Sequence, residues 1–169
     1  MDALPPPEPS PPIAAPRFSY GTDVEGLIPP FYVPSNQLIG EMPPPLRTYF
    51  ANKKIERPAS VEVNGQPNVG SYGAGRVQVA RTTDDPIVAR HELLHALSAE
   101  HPAYRDEPYF YFGRLRQAVA SAPQDPYLDA LVATNDWPHI FVHLAERVLD
   151  DPSSVAPSVR AYFATLGAQ

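Results

Sequence analysis

The sequence predicts an α+β fold: a small mixed sheet, then a central helix, then a helical C-terminal half. Three observations carry this. Residues 59–63 and 76–80 alternate apolar and polar side chains, as half-buried strands do. Ile87, Val88, Leu93, Leu94 and Leu97 give the next segment an apolar side at helical spacing. From Asp125 onward the chain reads as successive helices, opened by Asp125-Pro126 and by Asn135-Asp136-Trp137-Pro138.

Taken in order, residues 1–16 are mostly Pro, Ala, Ser and Glu, a composition that predicts a disordered, polyproline-like tail outside a single domain spanning 17–169. Over half of the 23 prolines precede Leu46. Residues 18–40 mix Phe18, Tyr20, Phe31 and Tyr32 with Pro and Gly, and are expected to wrap the domain in extended form with the aromatics docked. Leu46 to Ile55 reads as a helix stopped before Pro58. Ala59–Val63 is a strand, Asn64-Gly65 a turn, and Gly70, Gly73 and Gly75 mark a flexible loop before a second strand at 76–80. The helix after Asp85-Pro86 runs to Glu100 and stops at Pro102. Glu107 to Ser121 reads as a helix whose Tyr109, Phe110, Tyr111 and Phe112 serve as core and cleft wall. Three further helices are expected, from Asp125-Pro126 to about Thr134, from His139 to Leu149, and from Ser158 to Leu166.

The central helix contains His91-Glu92-Leu93-Leu94-His95, an H-E-x-x-H pattern. Residues four apart share a helix face, so both histidines can turn a ring nitrogen to one metal ion. Glu92 lies to one side, beside the ion without ligating it. That is the arrangement that sets a general base next to a zinc-bound water. A solvated face is the plainer reading of two His and a Glu. The apolar side of the helix weighs against it, because an unpaired His pair against a core is costly.

These residues resemble the active-site helix of the zincin metallopeptidases. The resemblance implies Zn2+ held by His91 and His95, Glu92 as the catalytic base, a zincin-like fold, and a peptide or protein as substrate. It also implies that a strand before the helix, here 76–80, offers its edge to an extended substrate. An ordinary sheet strand is an equal reading of the same residues.

The third ligand stays open between two zincin types. His101 stands six residues after His95, the metzincin spacing, but Ser98 occupies the position of that signature's turning Gly, and Met1 and Met42 both lie upstream of the motif. The later helix, His139-Ile140-Phe141-Val142, ending at Asp151-Pro152 and followed by Tyr162, resembles the second metal helix of the gluzincin-like anthrax lethal factor and glucose-regulation peptidases. His139 falls where that pattern has its ligand Glu. His143 is the runner-up and Glu146 the third choice; either also suits a supporting hydrogen bond to a ligand His. Tyr127, Tyr109 and Tyr111 are the candidates to stabilise an oxyanion. A zincin-like module that binds or assembles without catalysis is the competing function, and a docking role for the Pro-rich N-terminus a third.

Composition narrows the rest. The chain has no cysteine, so a zinc site must use His, Asp or Glu. The net charge of −6 and lack of a basic cluster argue against nucleic acid as a partner. No stretch approaches the roughly 18 apolar residues that span a bilayer, so no membrane is expected. Nor does the N-terminus read as a signal peptide. A monomer that is cytoplasmic where it is made is expected, with leaderless secretion left open.

Overall fold

The computed structural model of the protein describes residues 31–32, 42–83 and 86–167. The expected tail at 1–16, most of the segment at 18–40, and Asp85 as a helix cap lie outside the described residues. The fold is mixed α+β. Strand β1 is Phe31–Tyr32, helix α1 Pro44–Phe50 and strand β2 Ile55–Glu56. Two hairpins follow, β3 (Val61–Val63) with β4 (Gln66–Asn68), and β5 (Gly70–Gly73) with β6 (Arg76–Val79). Helix α2 spans Pro86–Glu100, α3 Gly113–Ala120, α4 Pro126–Ala133 and α5 Trp137–Asp150; α6, Pro157–Tyr162, ends the set with a short 3-10 turn at Ala164–Leu166.

The main sheet has the order β1-β2-β6-β5. Only the β2–β6 pair is parallel, with Ile55 opposite Val77. Strand β6 is therefore interior, which corrects the expectation that residues 76–80 form a free edge. Among the described residues the edge on that side is β5, in the stretch expected as a flexible glycine loop. Gly-Ser-Tyr-Gly has little strand propensity of its own; it extends because four residues pair with β6, from Gly70 opposite Val79 to Gly73 opposite Arg76. The Asn64-Gly65 turn forms as expected, both residues at positive φ, 52° and 74°.

Two helical expectations fail for tertiary reasons. The helix from Leu46 stops at Phe50, and Ile55, fully buried, joins the sheet between β1 and β6. Its burial there outweighs the local helical pattern. The expected helix from Glu107 begins only at Gly113. Residues 101–112 form successive turns, and Tyr111 and Phe112 both adopt positive φ, 49° and 55°. Phe112 reaches the core, whereas Tyr109, Phe110 and Tyr111 face solvent. The sequence suggested that all four serve as core and cleft wall; of these only Phe112 does.

The capped starts hold. Asp125 accepts the Tyr127 amide at 3.0 Å and Asp136 the His139 amide at 3.4 Å, each just before its helix. Helix α2 is buried on most of its circumference, with Ala89, Leu93, Leu94, Ala96 and Leu97 all inaccessible. It packs on β5 and β6 on one side and on α5 on the other. Phe141, Ile140 and Leu144 of α5, with Phe50, Val77 and Phe163, complete that core. Each such side chain contributes about 1.5–3 kcal/mol through burial. Among the described residues no helix is long and apolar enough to cross a membrane.

Candidate metal centre

Helices α2 and α5 bring together three histidines. The donor atoms of His91, His95 and His139 all lie within 4.8 Å of one another. The rings of His95 and His139 are 4.8 Å apart, those of His91 and His95 5.0 Å, and those of His91 and His139 5.8 Å. Ligands around a tetrahedral zinc stand about 3.4 Å apart, so the widest pair is open by about 1.4 Å. Three imidazoles without a thiolate, leaving a fourth position free, fit zinc.

Carboxylates hold two of the rings from behind. Glu146 Oε1 lies 3.1 Å from His91 Nδ1, and Asp136 Oδ2 2.8 Å from His139 Nδ1. A carboxylate on Nδ1 makes that nitrogen the N–H donor and leaves Nε2 with its lone pair for a metal. The other oxygen of Glu146 lies 3.4 Å from His143 Nδ1. His143 thus shares the carboxylate that supports His91 and stands outside the three-donor group, as does Glu146 itself.

His101 is not brought to the group. Helix α2 continues unbroken through Ser98, whose hydroxyl donates to the His95 carbonyl at 2.8 Å, so the chain makes no turn back towards the histidines. The His101 Nδ1 accepts the Ala103 amide at 3.1 Å, and its ring packs 4.8 Å from Tyr49.

Glu92 is buried, 7% exposed, and lies against β5. A Cβ added to Gly70 would sit 2.7 Å from Glu92 Oε1 and 2.9 Å from Val88 Cγ1. Glycine at 70 is thus what lets the strand and the helix approach so closely. Burial pushes the Glu92 carboxyl up to about 7 in the metal-free protein, against the pull of the neighbouring His91. Burial, with the adjacent His91 and His139, drives His95 down to about 4, so this imidazole is neutral over the physiological range. The Glu146 hydrogen bond raises His91 above its ordinary value in spite of burial. Burial would raise Glu146 itself, but the His91 hydrogen bond and the charges of His91, His143 and Arg90 bring it below the usual carboxylate range.

A cleft of about 360 Å³ opens over the group. Glu92, His95 and His139 line it together with Gly70, Ser71 and Tyr72 of β5 and with Pro108 and Phe112 of the turn segment. None of the tyrosines expected to stabilise an oxyanion lines it. Tyr109 and Tyr111 are exposed on the turn segment, and Tyr127 stacks under Arg147, 4.7 Å from its ring centre. The tyrosine that does line the cleft is Tyr72, which donates to Glu100 at 2.9 Å. Sequence reasoning missed Gly70, Ser71 and Tyr72 because it read them as loop. It met Asp136 only as a helix cap. Its position three residues before His139, within reach on one helix face, was the signal that the cap also reaches a ligand candidate.

No protein-family model, no curated protein and no solved structure matches the chain.

Proposed function

We propose that the chain is a zinc-dependent metallopeptidase of zincin-like, gluzincin-like architecture, with His91, His95 and His139 as ligands and Glu92 as general base. The observation that carries this reading is the convergence of the three donors from two helices, two of which, His95 and His139, line a cleft together with the buried Glu92. A solvated polar face would neither bury Glu92 nor hold the part-buried His91 on the Glu146 carboxylate.

Zinc, when bound, supplies a Lewis acid that polarises a peptide carbonyl and lowers the pKa of water. Glu92 takes a proton from the attacking water as its oxygen bonds to the carbonyl carbon. When the C–N bond breaks, Glu92 gives that proton to the departing amine. Its buried carboxyl, next to the cleft and away from bulk water, suits both transfers. Glu146 and Asp136 hold Nδ1 of His91 and His139 as N–H donors, so that Nε2 of each would be free to hold the ion. Strand β5 offers main-chain groups along the cleft to an extended peptide.

The test is Glu92→Gln. The variant retains about one zinc, since Glu92 is not a ligand, and loses peptide hydrolysis by a factor of about 10² or more. Hydrolysis at the parent rate removes Glu92 from the chemistry. A parent protein that holds no zinc after loading at neutral pH removes the metallopeptidase reading altogether.

A further inference from the structure

Tyr109, Phe110 and Tyr111 are 84%, 71% and 79% exposed, three consecutive aromatics at the surface, whereas Phe50, Tyr104, Phe112, Trp137, Phe141 and Phe163 are buried. Their backbone is firmly held. Phe112 donates its amide to the Glu107 carbonyl at 2.7 Å, Gly113 its amide to the Phe110 carbonyl at 3.0 Å, and Arg116 Nε donates to the Tyr111 carbonyl at 2.7 Å. The buried Glu107 carboxylate in turn accepts Arg114 Nε at 2.7 Å and the Leu115 amide at 3.2 Å. Tyr111 and Phe112 adopt positive φ, a conformation strained for a bulky residue. The segment is thus braced in a strained shape that keeps the three rings in water.

The triad is continuous with the cleft. Pro108 and Phe112, on either side of it in sequence, line the cleft that holds Glu92, His95 and His139. Phe110 lines a separate groove of about 490 Å³ with Pro102, Ala103 and Arg114. The aromatics therefore form a crest between two hollows, one of which is the site.

We infer that this crest is an exosite for an unfolded polypeptide whose apolar side chains dock on Tyr109, Phe110 and Tyr111 while the same chain lies in the cleft. The inference rests on the peptidase reading and adds to it a substrate class: unfolded protein chains rather than short peptides. Exposed aromatics are the side chains that most often dominate a binding surface, and rigid ones lose little entropy on contact. A bilayer is the other apolar partner such a crest suits, but the net charge of −6 opposes an anionic surface and the crest borders the cleft.

The experiment compares the parent with the Tyr109→Ser/Phe110→Ser double variant of the full chain. The probes are β-casein as unfolded protein and a six-residue fluorogenic peptide long enough only for the cleft. The double variant raises KM for β-casein about tenfold, leaves kcat and the peptide kinetics unchanged, and keeps the parent melting temperature. A second arm measures β-casein binding in the Glu92→Gln background, where the same double change raises Kd by a similar factor. That arm needs no catalysis, so a protein that cleaves nothing overturns the peptidase reading while the exosite still stands or falls on Kd. Equal KM and equal Kd in the double variant overturn the exosite, as does a parent that does not bind β-casein. Loss of binding to phosphatidylcholine/phosphatidylglycerol vesicles with β-casein binding intact replaces it with a membrane surface.

Discussion

At the residue scale, the weight of the candidate site falls on His139. His143 is one turn further along α5, but its ring faces Glu146, and only His139 joins His91 and His95 in the three-donor group. If His139 is the third ligand as proposed, zinc affinity measured by chelator competition falls by about 10³ or more in His139→Ala and by about 10- to 100-fold in His143→Ala, which disturbs only the carboxylate that supports His91. His101→Ala leaves it unchanged. Loss of the metal in His101→Ala alone reassigns the site to the metzincin arrangement. Sequence reasoning reached the first two candidates unaided because a spacing of four on a helix is local geometry. It ranked the third by resemblance, since nothing local says which later histidine comes within reach.

At the element scale, the position of Glu92 depends on how closely β5 approaches α2. Gly70 is the contact point, and any side chain there must displace Glu92 or Val88. Gly70→Ala is expected to lower kcat at least tenfold while zinc content stays at the parent value, with a stability loss of about 1–3 kcal/mol from overpacking. Denaturant melts and metal analysis on the same sample separate the two effects. Unchanged kcat with unchanged melting would mean that Glu92 has room to retreat without consequence. The pattern of this strand was the least legible part of the chain. Alternating Val61-Glu62-Val63 and Arg76-Val77-Gln78-Val79 announce strands, whereas Gly70-Ser71-Tyr72-Gly73 becomes one only through its partner. The same holds for Ile55, read as the end of a helix and found in the sheet.

For the whole molecule, burying a histidine pair beside a carboxylate ties stability to pH. His95 has a folded pKa lowered to about 4 from its ordinary 6.5. As pH falls below 6.5 the unfolded chain takes up this proton and the folded chain does not, so the stabilisation present above 6.5 is progressively lost down to about 4. Glu92 acts in the opposite direction: its folded pKa near 7 means that stability is lost as pH rises from about 4.5 through 7. In chelator-treated protein, His95→Gln is expected to raise stability at pH 4 relative to pH 6.5 by at most about 3 kcal/mol compared with the parent, leaving the opposite contribution of Glu92 in place. Urea melts at half-unit pH intervals measure it. Parallel curves for parent and variant would show that His95 is not desolvated in the folded protein.

The sequence by itself determined the α+β class, the capped helices after Asp125, the Asn64-Gly65 turn, and the placing of His91, Glu92 and His95 on one helix. Each of these is set by neighbours within a few positions: a period of two or 3.6, a cap, a proline, a pair that needs positive φ. Only the packing of the whole chain made β5 rather than β6 an edge among the described strands and kept His101 with Tyr49. It also decided that Tyr109, Phe110 and Tyr111 leave the core, and that Asp136 and Glu146 reach ring nitrogens of His139 and His91. Those outcomes depend on which distant surfaces meet when α2 is buried between the sheet and α5. Packing of that kind is a property of the whole chain, and no window of local sequence contains it.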